Sequence, residues 1–152
     1  MTVAQAGLIA TWHYDGAWAV YDLDSAQPLL DRLASYHSVT SDQTLIGFCC
    51  TGIAARVPGM TEEPGILDVG MGMDPALVGQ GHGAAFGATV LSYLTLRHPG
   101  QALRAAVQDW NTRSLRLTRR LGSKDAGEIV VHQGGRPVTY RVVVTCSAAP
   151  SG

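Results

Sequence analysis

The chain has 152 residues, 46% of them hydrophobic, and a formal net charge of −1 at pH 7. That length supports one core rather than two, and that hydrophobic share excludes a disordered tail. A charge so close to zero leaves no electrostatic footprint for nucleic acid or an anionic membrane, and no apolar run is long enough to span a bilayer.

The opening segment MTVAQAGLIATW lacks a basic region followed by a long apolar stretch, so no secretory signal is expected and the default location is cytoplasmic. Leu8 to Trp12 reads as a short strand. Ser25 caps a helix running to about His37, with Leu29, Leu30 and Leu33 on one face and Pro28 in its first turn. Leu45 to Ile53 is a strand rich in β-forming residues, continued over Ala54 to Arg56. Cys49 and Cys50 lie inside it, and with Cys146 they show no metal-ligand spacing; reduced thiols in a core, and no metal, are expected. TEEPG at 61–65 is a turn. Ile66 to Met73 is a second central strand, where Gly70 and Gly72 suggest a bulge or a close backbone approach.

Next comes Met73-Asp-Pro-Ala-Leu-Val-Gly-Gln-Gly-His-Gly, followed by a helix from Ala84 to about Arg97 in which Phe86, Val90 and Leu94 stand four apart. Leu103 to Val107 is a strand. Asn111 caps a helix lined by Leu115, Leu117, Thr118 and Leu121, and Gly122 suits the left-handed position just past its end. Ile129 to Gln133 and Val138 to Val144 form a hairpin across Gly134-Gly135. The tail, 147–152, is small, polar and frayed. The order predicts one mixed α/β domain over 1–146 with a single central sheet.

Gly79, Gly81 and Gly83 let backbone N–H groups crowd an anion at a helix start, where the helix dipole adds to the attraction. No Lys-Ser/Thr follows, so a P-loop is excluded. A dinucleotide fold fits Gly79, Gly81 and Ala84. It fails on the intervening Asp74-Pro75 and on the missing acid about 20 residues later.

Read together with VQDWNTRSLRLTRRLG at 107–122, the glycine segment resembles the GCN5-related N-acetyltransferase (GNAT) superfamily. The family's Q/R-x-x-G-x-G/A loop falls on Val78, Gly79, Gln80, Gly81, His82 and Gly83. A second family pattern falls on Val107, Asn111, Ser114, Leu117, Thr118 and Gly122. Together the two cover about a third of the chain, and the short N-terminal region resembles a subset of the family. Val78 replaces the usual Gln or Arg, Thr118 the usual Tyr, and Ser123 the usual Phe.

The resemblance implies a mixed sheet with a splayed parallel strand pair and flanking helices. It implies acetyl-CoA as cosubstrate, bound by the backbone of Met71, Gly72 and Met73, by residues Val78 to Ala84, and by Asn111 and Ser114. It also implies transfer of the acetyl group to an amine, of a small molecule, an amino-acid derivative or a protein, by direct attack. Asp68, a carboxylate within an apolar strand, is the expected base, and the N–H near Met73 the expected oxyanion donor. Trp12, Tyr14, Trp18 and Tyr21 are the expected substrate wall, with core packing as the other role for such aromatics. Tyr93 and Tyr140 carry phenols but no spacing that places them as the acid. A non-catalytic acyl-CoA-binding module is the second reading, and Thr118 speaks for it. Open strand edges at the C-terminal hairpin leave room for a homodimer.

Overall fold

The computed structural model describes residues 1–146, so the frayed tail expected at 147–152 lies outside the described residues. Six strands form one sheet in the order β1-β2-β3-β4-β6-β5. They are β1 (Tyr36–Ser41), β2 (Thr44–Thr51), β3 (Ile66–Met73), β4 (Ala102–Gln108), β5 (Lys124–Gln133) and β6 (Arg136–Thr145). Every neighbouring pair is antiparallel except β3 and β4, which run parallel.

Side chains alternate across the sheet, and this sorts the helices. Helix α3 (Gly83–Arg97) covers one face, where Phe86, Val90 and Leu94 bury Cys49, Val69 and Leu103. Its approach is tight enough that a Cβ on Gly47 would sit 2.4 Å from the Phe86 ring. Helix α4 (Thr112–Arg120) packs beside it through Leu117 and Leu121, which lie against Gly83 and Gly87. The other face carries α1 (Val3–Ile9) and α2 (Gln27–Leu30), whose Ala6, Ile9 and Leu29 pack with Trp12, Leu45 and Phe48.

Four local expectations change. Leu8 to Trp12 is not a strand: Leu8 and Ile9 end α1, fixed by a reciprocal cap. Thr2 Oγ1 accepts from Gln5 N–H at 3.1 Å, and Gln5 Oε1 accepts from Thr2 N–H at 2.9 Å. The helix begun near Ser25 stops at Leu30. A 3₁₀ turn follows at Leu33–Ser35, and then β1, because Tyr36–Ser41 gains a full antiparallel ladder on β2. Residues 52–54 form a 3₁₀ turn instead of extending β2. No bulge occurs at Gly70 or Gly72. They face Cys50 and Phe48 across an unbroken register, and a Cβ on Gly72 would meet the Phe48 ring at 2.6 Å.

Candidate active site

Strands β3 and β4 pair only over Ile66–Asp68 against Ala102–Arg104 and then part. Beyond that point β4 is held from its other side by β6, down to Gln108 opposite Tyr140. The result is a wedge-shaped gap between Val69–Met73 and the second half of β4.

The backbone along one lip of the gap has a definite direction. Asp74 N–H donates to Ile46 O at 2.8 Å, on the β2 side. In an antiparallel ladder such bonds recur at every second residue, so Gly70 and Gly72 also turn their N–H and C=O groups toward β2. Val69, Met71 and Met73 therefore turn theirs toward the gap. Tyr14 Oη donates to Met73 O at 2.7 Å from that side. Of Met71, Gly72 and Met73, the first and last thus turn their backbone groups into the gap and Gly72 turns its own toward β2.

Past the lip, Asp74 caps a 3₁₀ turn at Pro75–Leu77 by accepting from Ala76 N–H at 2.9 Å. Gln80 Nε2 donates to Ala76 O at 2.6 Å and folds the loop onto this turn. Gly79 and Gly81 stand at φ +80° and +83°, the left-handed region that a side chain would strain. The loop delivers the chain into α3 with His82 as a cap that makes no side-chain bond, and with no acidic residue in the first turn. The first N–H groups of a helix have no partner within it. Gly83, Ala84 and Ala85 thus present donors at the positive end of a 15-residue helix, beside the mouth of the gap. A diphosphate fits this donor set, and a pantetheine-like amide arm fits the free strand edge. Val78 is half-buried and His82 exposed.

Asn111 stands across the gap, just beyond β4, and is 3% exposed. Its Oδ1 accepts from Ser114 N–H at 3.2 Å, capping α4, and from Trp18 Nε1 at 3.3 Å; its Nδ2 donates to Tyr21 Oη at 3.1 Å. Trp18 and Tyr21 belong to a 3₁₀ segment, Gly16–Tyr21, and both pack on Trp110, edge-on at 5.6 Å and stacked at 6.1 Å. Asp22 draws this segment together by accepting from Tyr14 N–H at 2.8 Å and pairing with His13 at 3.0 Å. Burial, and after it the carboxylates of Asp74 and Asp22, push the Tyr14 phenol up to about 12. Burial also raises Tyr21, with the Asn111 hydrogen bond acting against it.

Tyr14, Trp18 and Tyr21 thus join the loop and Asn111 around one gap, while Trp12 does not. It is 9% exposed, tilted on Phe48 at 6.4 Å in the α1–α2 core, so its expected place in a substrate wall gives way to packing.

Asp68 is also elsewhere. It lies in the paired part of β3, five residues from Met73, or about 17 Å along an extended strand. It is 2% exposed. Arg104 Nε donates to its Oδ1 at 2.6 Å, and Oδ2 accepts from Arg56 Nε at 2.8 Å and Arg104 Nη2 at 3.1 Å. Both oxygens are committed to guanidinium groups, and Arg104 is further tied to Glu63 and Thr61 O. Arg104 sits directly opposite Asp68 in the ladder, and this charge inside the apolar LRAAV strand was the available signal for the pairing.

Thr118 donates its hydroxyl to Leu115 O at 2.9 Å. Two phenols stand near the end of β4. Tyr21 accepts from Asn111, and Tyr140 accepts from Gln108 Nε2 at 3.4 Å and Gln133 Nε2 at 3.2 Å. Tyr93 lies apart, against His37 at 3.3 Å. No helix among the described residues is long and apolar enough to cross a membrane.

No protein-family model and no curated protein matches the chain. Solved structures do. A ribosomal-protein-alanine N-acetyltransferase from Brucella melitensis superposes with a TM-score of 0.73 at 15% identity, over 96% of both chains. The yncA protein of Salmonella typhimurium, solved with its cofactor acetyl-CoA, gives 0.70 at 15% identity, over 100% of this chain and 94% of that one. A GNAT-family acetyltransferase from Bacillus anthracis gives 0.64 at 13% identity, over 82% and 74%. At such identities the likeness establishes the fold: this chain is folded as the GNAT acetyltransferases are.

Proposed function

We propose, from that fold, that the chain is an acetyl-CoA-dependent N-acetyltransferase. The observation that carries this reading is the parting of β3 and β4 beside an uncapped helix start. An unpaired strand edge leads directly to a cluster of N–H groups at a helix start, the order in which the arm and the diphosphate of coenzyme A follow one another.

The residues fit the group. N–H groups of Gly79 to Ala85 would hold the diphosphate, with His82 and Gln80 contributing backbone. Met71 and Met73 would pair with the pantetheine amides along the β3 edge. Acetyl-CoA supplies a thioester whose acyl carbon a neutral amine can attack directly. What the chain supplies is placement, exclusion of water and hydrogen-bond donors. Backbone N–H groups of β3 facing the gap are fixed before reaction and cost no reorganisation when negative charge develops on the acyl oxygen. The departing sulfur requires a proton, and the chain offers Tyr21 and Tyr140, each of which accepts from amides and keeps its own O–H to give. Asp68 takes no part in this scheme, because removing an ammonium proton requires an oxygen that can reach it.

The acceptor enters beside Tyr14, Trp18 and Tyr21. Asp22 and Asp74 flank Tyr14 there and favour an amine that arrives as a cation, which gives up one proton to solvent water before it attacks. A peptide with N-terminal alanine, the residue class named for the Brucella protein, belongs in the first panel of acceptors alongside simple primary amines.

Titration calorimetry with coenzyme A, acetyl-CoA and NAD tests the binding half: the first two bind and NAD does not. Release of free thiol from acetyl-CoA across the amine panel tests the chemistry. The committed hydroxyl of Thr118 favours one competing reading, a sensor that binds acyl-CoA without turnover. Tight binding with no thiol release for any amine establishes the sensor instead.

A further inference from the structure

We propose that Asn111 is the anchor of the wall formed by residues 14–22, and that its side chain serves this wall rather than the cofactor arm. The inference rests on reading the gap as the acetyl-CoA cleft, but its core is a count of valences. An Asn side chain has one oxygen with two lone pairs and one NH₂ with two hydrogens. Here both lone pairs are used, by Ser114 N–H and Trp18 Nε1–H, and one hydrogen goes to Tyr21 Oη. The assignment of oxygen and nitrogen is not arbitrary, since two of the three partners are donors only and must meet the oxygen. One N–H remains on a residue that is 3% exposed.

The wall is fastened to both lips of the gap. At the β3 lip, Tyr14 holds the Met73 carbonyl at 2.7 Å; beyond β4, Asn111 holds Trp18 and Tyr21. Between these ties the segment is a 3₁₀ turn with no buried residue, so it has little core contact of its own to keep it in place. Trp110, adjacent to Asn111, gives the two rings a surface to pack on. The same side chain caps α4, so the wall moves with the start of that helix. Asn111 is accordingly a positioning residue: it sets the width of the acceptor side of the gap.

The test uses the full chain and four variants. Trp18→Phe and Tyr21→Phe each remove one hydrogen bond while keeping the ring and the α4 cap. Asn111→Ala removes the anchor. Asn111→Asp keeps an oxygen for Ser114 and Trp18 and lets Tyr21 donate instead. Amide exchange over Gly16–Asp22 is read by mass spectrometry, and affinity for acetyl-CoA by calorimetry.

Loss of one hydrogen bond speeds exchange of the segment about fivefold in either Phe variant, and loss of both Asn111 ties speeds it further in Asn111→Ala. Asn111→Asp stays near wild type. Acetyl-CoA affinity changes by less than about threefold in Trp18→Phe, the spread expected of a residue that does not touch it. Unchanged exchange in all four variants overturns the proposal. So does a loss of acetyl-CoA affinity in Asn111→Ala with exchange in the segment left alone. If the wild-type chain binds no acetyl-CoA, the functional reading fails, and exchange alone still decides whether Asn111 anchors the wall.

Discussion

Replacing Asp68 separates a structural ion from a catalytic one. Asp68→Asn leaves the shape of the side chain and takes away its charge. Arg104, 8% exposed, then loses its charged partner at two nitrogens and keeps only Glu63 and the Thr61 carbonyl, while Arg56 loses its carboxylate contact. Breaking a buried pair from one side costs about 3–5 kcal/mol, because the remaining charge stays desolvated. For a chain of this size each kcal/mol moves the melting temperature by about 2–4 °C, so Asp68→Asn melts about 6–20 °C below wild type by calorimetry. Replacing both partners, Asp68→Leu with Arg104→Met, removes the stranded charge and recovers most of that loss. Well below its melting point, Asp68→Asn releases thiol from acetyl-CoA at a rate within about twofold of wild type, since no proton passes through it. A variant that melts like wild type yet turns over about 100-fold more slowly would refute this reasoning and restore Asp68 as the base.

Gly81→Ala forces a side chain onto φ +83°, at a cost of about 1–2 kcal/mol. It also narrows the N–H cradle, so calorimetry shows acetyl-CoA affinity falling about tenfold while urea unfolding shifts only modestly. Tyr140→Phe deletes a phenol that stands near the end of β4. Steady-state thiol release drops about 100-fold with acetyl-CoA affinity unchanged, and equal rates would remove Tyr140 from the chemistry. Burial raises the thiols of Cys49 and Cys50 from 9.0 to about 11 and about 12, and the Tyr14 phenol from 10.0 to about 12. The unfolded chain therefore gives up these protons first as pH rises. The associated stability is present in full below about pH 9 and is lost between about pH 9 and 12. Urea midpoints measured at pH 8 and pH 10.5 check the sign, and a thiol reagent at pH 8 labels exposed Cys146 long before the two buried cysteines.

The parts of the site that local chemistry dictates were legible in the sequence. Gly79 and Gly81 occur where the backbone must turn left-handed, Asn111 occurs where a helix must be capped, and the Phe86, Val90, Leu94 spacing puts α3 on the sheet. Each of these signals lies within a few residues of what it specifies. The failures share the opposite property. Tyr36–Ser41 is a strand because β2 lies beside it, and Asp68 is neutralised by Arg56 and by Arg104, which is 36 residues away. In the sequence Asp68 reads as catalytic because its apolar strand shows no charged partner beside it. Its partner was visible as a second misplaced charge, but only the parallel register of β3 on β4 makes the two meet.

The same distinction accounts for the aromatic side of the gap. Trp12, Tyr14, Trp18 and Tyr21 are equivalent by spacing and composition, yet they divide sharply. Trp12 closes the turn that ends α1 and drops into the α1–α2 core; the other three lie further on and reach across to Met73 and Asn111. Those ties span 59, 93 and 90 residues, and no local rule anticipates them. The loop side of the gap is encoded by backbone, which a glycine pattern announces. The aromatic side is encoded by side chains that only the closed sheet brings together. This difference explains why the fold and the loop are readable in a single chain while the shape of the wall is not: a wall assembled from long-range ties can be re-spaced by changing Tyr14, Trp18 or Tyr21 without disturbing the glycine loop.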